Sequence, residues 1–233
     1  MIWDYTAESA EALGGIGEVL LHGPTQKALD EQLQLTRLLE ALARHGILRY
    51  PVRVMHTHHA RPDFQLLVGN QRVSVEASKI AAPNCEHAVS LQRRAVPAVL
   101  MRDEFLRPGQ PRFSRKEVIQ EGFGIPQMDD PPSCQNVDAA WWEHFQRIVE
   151  RKLKKLSEDD FRHGEEDWLV LWDQLGTQDR QMEARLPQLR SWLARIWRRG
   201  HRFSRIFIQE EHFFWIASLS VTHCGLLTHD SGG

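Results

Sequence analysis

The chain has 233 residues, with 29 Lys and Arg against 31 Asp and Glu, a net charge of −2 and 42% hydrophobic residues. This length and composition predict a globular protein with a substantial core and argue against a disordered, fibrous or polybasic one. The acidic N-terminal segment, the lack of a long apolar run and three widely spaced cysteines argue against a secreted, membrane-bound or disulfide-rich protein, so we expect a cytoplasmic location.

The first helix is predicted between Pro24 and Gly46, because proline suits a first helical turn and glycine suits the position after a C-cap. Four leucines form its apolar stripe: Leu35, Leu38, Leu39 and Leu42. Glu31 falls on the same stripe, so its side chain is predicted to face the core side of the helix.

Three strands are predicted next, over residues 49–55, 63–68 and 71–78. Gly69-Asn70 separates the last two, and this dipeptide suits a two-residue hairpin loop. Residues 81–136 contain seven prolines, so we interpret this stretch as an irregular insertion or lid within a single domain of residues 1–233.

The second half of the chain predicts a helix over residues 138–156, a strand over 168–174 and a helix over 186–199 that has Pro187 in its first turn. A final strand pair is predicted over residues 203–209 and 213–220. The order of elements is therefore α-β-β-β-α-β-α-β-β, which indicates an α/β or α+β domain with a mixed sheet flanked by helices.

The hairpin register determines which side chains share a face. A two-residue loop at 69–70 places Asp63 opposite Glu76, with their Cβ atoms ~4.5–5.5 Å apart. One face carries Phe64, Leu66, Val68, Val73 and Val75, and the other carries Asp63, Gln65, Ser74, Glu76 and Ser78. Two opposed carboxylates repel each other, and a divalent cation between them would turn that repulsion into a binding site. The alternative is that both acids are simply solvated.

The segments Pro62-Asp63 and Glu76-Ala77-Ser78-Lys79 lie on consecutive predicted strands that follow a helix and a first strand. This arrangement resembles the PD-(D/E)XK nuclease superfamily, whose core is helix, three strands, helix, strand. The resemblance covers residues 24–174 as an order of elements, and implies a restriction-endonuclease-like fold and metal-dependent hydrolysis of DNA or RNA. It implies that Asp63 and Glu76 bind Mg²⁺ or Mn²⁺ with help from the Ala77 carbonyl.

The catalytic lysine of this motif is displaced in the sequence. Ser78 stands where the superfamily has lysine, and Lys79 follows one residue later, where a regular strand points it to the opposite face. A bulge at 77–78 would re-aim Lys79 towards the acids. Lys152 is a second candidate because it falls in the apolar stripe of the helix over 138–156, where it either snorkels to the surface or has an acidic partner. Lys154 and Lys155 are interpreted as a solvated face.

The superfamily also often has an acid on its first helix near the metal, so Glu31 is a third candidate ligand. The alternative role for Glu31 is stabilisation of the helix start through the helix dipole.

The segment 180–205 is rich in arginine, and the apolar stripe of its helix leaves the arginines facing outward. Its candidate phosphate-binding side chains are Arg195, Arg198, Arg199 and Arg202. The alternative is a solvated basic helix. Nucleic acid is accordingly the expected partner, and a homodimer is compatible with the sequence. No membrane partner is indicated. No nucleotide cofactor is indicated either, because the sequence has no glycine-rich phosphate-binding loop.

Two other function classes remain open beside a metal-dependent nuclease. A non-catalytic binding or interaction module on the same fold is favoured by Ser78 at the usual lysine position. A zinc hydrolase would use the imidazoles of His56, His58 and His59, although the sequence offers no further ligand set with telling spacing.

Overall fold

The structure is a computed structural model that describes residues 5–13, 25–57, 61–81, 114, 134–174, 179–197, 203–209, 213–218 and 225–228. The helices in these residues are α1 (Ala10–Leu13), α2 (Gln26–Arg44), α3 (Cys134–Leu156) and α4 (Asp179–Ile196). The strands are β1 (Tyr5–Ala7), β2 (Val52–His56), β3 (Phe64–Val68), β4 (Gln71–Ile80), β5 (Glu166–Asp173), β6 (Arg205–Gln209), β7 (Phe213–Ser218) and β8 (Gly225–Thr228).

These eight strands form one mixed sheet in which the spatial order follows the chain order. The pairs β4–β5 and β5–β6 are parallel, and the other neighbouring strands are antiparallel. Parallel neighbours need a crossover connection, and α3 and α4 lie in the chain segments that provide it. The prediction of a mixed α/β protein is therefore confirmed.

An apolar cluster lies on each face of the sheet. One apolar cluster joins α2 to β2, β3 and β4 through residues such as Leu38, Val54 and Phe64. A second cluster, on the opposite face, joins α3 and α4 to β5 and β6. Strand β5 shows why both clusters form, since Trp168 and Val170 belong to the first and Leu169 and Leu171 to the second. A strand that alternates between two cores reads as a continuous apolar run.

The helix stripes predicted from periodicity are confirmed. In α2 the four leucines are buried together, and Thr25 caps the helix by accepting a hydrogen bond from the Ala28 backbone N–H. In α3 the predicted stripe is also buried: Trp141, Phe145, Ile148, Val149 and Leu156. Lys152 lies within this second stripe, which brings its side chain under the sheet.

Several predicted boundaries are wrong. Helix α4 begins at Asp179 rather than near residue 186, so Pro187 lies inside the helix and not in its first turn. An interior proline costs about 3 kcal/mol, but the buried residues Leu189 and Leu193 anchor the helix against the sheet and offset that cost. The short strands β1 and β8 were not predicted, because three or four residues give no alternation to recognise. Most of the proposed insertion over 81–136 lies outside the described residues.

Candidate active site

A cleft of about 770 Å³ opens at the carboxyl end of β4, where α2 and α3 approach the sheet from opposite faces. Ligand sites in α/β sheets commonly lie at the carboxyl ends of parallel strands. Basic side chains in the lining outnumber acidic ones: Lys27, Lys79, Arg147, Arg151, Lys152 and Lys155 against Asp30 and Glu31. The cleft is therefore an electropositive pocket beside the two acids of the hairpin.

The hairpin has the predicted register. Phe64 pairs with Val75 and each later pair keeps the same offset, so Asp63 lies opposite Glu76 one step beyond the paired strand. The two acids are close neighbours, because Asp63 Oδ2 accepts a hydrogen bond of 2.9 Å from the Ala77 backbone N–H. Glu76 is 0% exposed and the Asp63 side chain is 17% exposed. The alternative in which both acids are solvated is therefore wrong for Glu76.

Lys152 reaches the acids from α3. Its ammonium donates a hydrogen bond to Glu76 Oε2, lies 2.8 Å from the Ala77 carbonyl oxygen and lies 3.4 Å from Asp63 Oδ2. Lys152 is 5% exposed, so it does not snorkel to the surface. Lys152 is buried because it lies on the apolar face of α3, between Ile148 and Leu156, and this face packs against the sheet.

Hydrogen bonds from Thr57 to backbone carbonyls hold the chain around Asp63 in place. Thr57 N–H donates to the Asp63 carbonyl at 3.1 Å, and the Thr57 hydroxyl donates to the Pro62 carbonyl. The preceding residue, Arg61, forms an ion pair with Glu158 in the segment that follows α3. Asp63 is thus tied both to β2 and to the end of the helix that carries Lys152.

Glu31 belongs to the same electrostatic neighbourhood. It lies on the buried stripe of α2, as predicted, and pairs with Lys27 at 3.2 Å. Burial raises the pKa of Glu31, and the charge of Asp63 raises it further, while Lys27 and Lys152 act in the opposite direction. Since Thr25 is the N-cap, Glu31 lies beyond the first helical turn, where the dipole has little effect. Its candidate role as a ligand stays a prediction.

Lys79 lies on the other face of the sheet. Its Nζ is 2.5 Å from Asp30 Oδ2 on α2 and 5.6 Å from the centre of the Trp172 ring. Strand β4 pairs with β5 without a break in register from Val73 to Ile80, so the bulge at 77–78 that would have re-aimed Lys79 is absent. The structure therefore brings Lys152, and not Lys79, to the two acids.

The sequence did not point to three further basic side chains of α3 in the cleft. Lys155 is not on a solvated face, since its Nζ lies 3.9 Å from Glu76 Oε2. Burial lowers the pKa of Lys155, and the charge of Lys152 lowers it further. Arg151 and Arg147 precede Lys155 at intervals of four residues and also line the cleft. That spacing is visible in the sequence and could have identified the row.

The arginines predicted to bind nucleic acid do not line this cleft where they are described. Arg195 lies in a separate groove between α3 and α4, beside Trp142 and Trp192. Arg198, Arg199 and Arg202 lie outside the described residues, as do His58 and His59. His56 stacks on the ring of Phe64 at 4.9 Å. No group of three or more His, Cys, Asp or Glu suited to a metal occurs among the described residues.

The donors beside the cleft nevertheless fit a hard divalent cation. The carboxylates of Asp63 and Glu76 and the carbonyl of Ala77 converge on one point, which the Lys152 ammonium contacts. Glu76 Oε1 is buried without a hydrogen-bond partner, which leaves a strong acceptor for such an ion. Mg²⁺ typically binds through one or two carboxylates and keeps several waters, so two acids are sufficient.

Comparison with protein-family models, with curated proteins and with solved structures gave no match for this chain. Within the part of the chain that the structure describes, no helix has the length and apolar character needed to cross a membrane. The geometry of the cleft is therefore the basis for assigning a function.

Proposed function

We propose that the protein is a divalent-metal-dependent hydrolase of phosphodiester bonds in DNA or RNA. The observation that carries the proposal is the convergence of Asp63, Glu76 and the Lys152 ammonium at the edge of an electropositive cleft. The segment α2-β2-β3-β4-α3-β5 also follows the element order of the PD-(D/E)XK nucleases, which supports a restriction-endonuclease-like core.

In this proposal the acidic side chains bind the metal ion, and the lysine acts on the water and the phosphate. Asp63, Glu76 and the Ala77 carbonyl are the oxygen donors for Mg²⁺ or Mn²⁺, with Glu31 as a further acid nearby. When bound, the ion supplies Lewis acidity for the phosphate and the attacking water. Lys152 orients that water and offers an ammonium to the negative charge that develops on the phosphate.

A phosphodiester fits the cleft better than an uncharged substrate does. Buried carboxylates alone would repel a phosphate, but the lining of the cleft also contains Arg147, Arg151 and Lys155. A negatively charged substrate gains Coulomb energy from these cations and brings its reacting group to the acids. A neutral ester or peptide would gain nothing from them.

Cleavage assays with purified protein test the proposal. With Mg²⁺ or Mn²⁺ present, the wild type is expected to cleave single- or double-stranded DNA or RNA, and Asp63→Asn, Glu76→Gln and Lys152→Met each to lose activity by about 10²-fold or more. Lys154→Met is the matched control, because this lysine is exposed on the same helix. Cleavage that survives both carboxylate substitutions would remove the assignment.

A non-catalytic module on the same fold is the second candidate. It is favoured by the Lys152 ammonium, which satisfies Glu76 Oε2 and the Ala77 carbonyl as a cation would, and by Ser78 at the usual lysine position. Calorimetric titration separates the two functions. A catalytic site binds Mn²⁺ at millimolar or lower concentration, and Glu76→Gln abolishes the binding heat, whereas a module gives no such heat.

A further inference from the structure

Three basic side chains of α3 line one wall of the cleft at intervals of four residues: Arg147, Arg151 and Lys155. Each interval advances about 6 Å along an α-helix and keeps the side chains on neighbouring positions of one face. The row is therefore about 12 Å long. It begins beside the carboxylate pair, where Lys155 Nζ lies 3.9 Å from Glu76 Oε2, and leads away from that pair towards Arg147.

The positive charge of this row is largely uncompensated. Among the described residues, no carboxylate forms an ion pair with Arg147 or Arg151. Arg147 contacts the ring nitrogen Nδ1 of His144 at 2.6 Å, and Arg151 donates to the Ser78 hydroxyl oxygen at 3.5 Å. Both arginines are exposed. By contrast, Lys27 and Lys79 on the other wall are each paired with an acid of α2.

We propose that Arg147, Arg151 and Lys155 form a phosphate track that binds the backbone of a nucleic-acid strand next to the carboxylate pair. Each strand of a duplex carries one phosphate per ~3.4 Å of helix axis, so a track of about 12 Å parallel to that axis runs beside three or four phosphates. The planar guanidinium groups suit bidentate contacts with phosphate oxygens. The substrate is then a polymer, and not a mononucleotide or a small phosphate ester.

The phosphate track rests on the proposed function only in placing the reacting phosphodiester at Asp63 and Glu76. Binding by the track itself needs neither catalysis nor a divalent ion. It also differs from the basic segment predicted from the sequence, since Arg195 faces another groove.

Fluorescence anisotropy with a labelled single-stranded oligonucleotide of about 12 nucleotides, in EDTA and over a series of salt concentrations, tests the track. Arg151→Gln is expected to weaken binding about three- to ten-fold at low salt and to reduce the slope of log K against log salt by about 0.7. Lys154→Gln, an exposed change on the same helix, is expected to leave both quantities unchanged. Circular dichroism verifies that both variants are folded.

Equal effects of Arg151→Gln and Lys154→Gln would overturn the phosphate track. An acidic polypeptide that binds as tightly as the oligonucleotide, with the same loss in Arg151→Gln, would overturn its assignment to nucleic acid. Because the measurement excludes divalent ions, its outcome is distinct from that of the cleavage assay. Oligonucleotide binding that depends on Arg151, without cleavage, would overturn the hydrolase and support the phosphate track. Cleavage with no effect of Arg151→Gln on binding would support the hydrolase and overturn the phosphate track.

Discussion

Replacing Lys152 by methionine preserves most of the side-chain volume in the α3 stripe but removes the ammonium group. In the wild type this group contacts the Glu76 carboxylate, the Ala77 carbonyl and, at 3.4 Å, Asp63 Oδ2. Without it, a carboxylate that is 0% exposed loses the one buried cation that contacts it among the described residues. Removing one partner of a buried pair typically costs about 3–5 kcal/mol, and we expect Lys152→Met in EDTA to lie at the lower end, about 3 kcal/mol, because Asp63 and Lys155 lie near solvent.

Urea unfolding followed by circular dichroism measures this loss. With an m-value of about 2–3 kcal/mol per M, a loss of about 3 kcal/mol lowers the midpoint by about 1–1.5 M. Lys154→Met should change the stability by less than about 0.5 kcal/mol. The double variant Glu76→Gln/Lys152→Met should be more stable than Lys152→Met, since it leaves no uncompensated charge at the buried position.

The same variant reports on the cation site. The ammonium of Lys152 and a divalent ion compete for the same oxygens, so removing the ammonium should raise the affinity for Mn²⁺ while it lowers cleavage. At a Mn²⁺ concentration 100 times the dissociation constant of Lys152→Met, the ion should restore about 2.7 kcal/mol to that variant and stabilise the wild type less. An equal gain in the wild type at the same Mn²⁺ concentration would refute the competition. A Lys152→Met variant as stable as Lys154→Met would refute the buried pair.

Substitutions at three further positions test the rest of the structure. Glu31→Gln should stabilise the metal-free protein at pH 7 but not at pH 4, as urea unfolding at both values would show. Because the pKa of Glu31 is raised above its usual 4.5, the stability of the wild type falls as the pH rises from 4.5 through the pKa of the folded state. The ion pair with the exposed Lys27 offsets little of this loss. A gain of equal size at both pH values would show that ionisation of Glu31 is not the cause. Gly164→Ala should cost about 1–3 kcal/mol in thermal unfolding, because a Cβ would lie 2.6 Å from the Arg72 carbonyl oxygen, and a neutral result would contradict this packing. Thr25→Ala should cost about 1 kcal/mol through loss of the α2 N-cap, whereas Thr25→Ser should cost less.

The hairpin pattern in the sequence predicts the pairing of the two acids but not their burial. Gly69-Asn70 and the alternation on either side were sufficient to place Asp63 opposite Glu76, because a two-residue loop leaves one register open. The burial of Glu76 could not be predicted in the same way. It arises because α3 covers the polar face of the hairpin, and no local pattern in residues 63–78 shows that a helix some 60 residues later packs there.

The packing of α3 against the hairpin also determines whether Lys152 or Lys79 contacts the two acids. Periodicity showed that Lys152 falls in an apolar stripe and that Lys79 points away from the acids, and the structure agrees with both statements. What periodicity left open was the partner of Lys152. Snorkelling and pairing with an acid give the same sequence pattern, and only the approach of α3 to β4 selects the pair with Glu76.

The sequence by itself determined the local features: the mixed α/β class, the hairpin register and the buried stripes of α2 and α3. These follow from side-chain periodicity and turn chemistry, which act over a few neighbouring residues. Only the tertiary structure decided which cations meet the acids. Lys152 and Lys155 reach Glu76 because the helix between the parallel strands β4 and β5 lies across the sheet face that carries this acid. The near-neutral charge of the whole chain conceals this, since a net charge carries no information about which charges are neighbours in space.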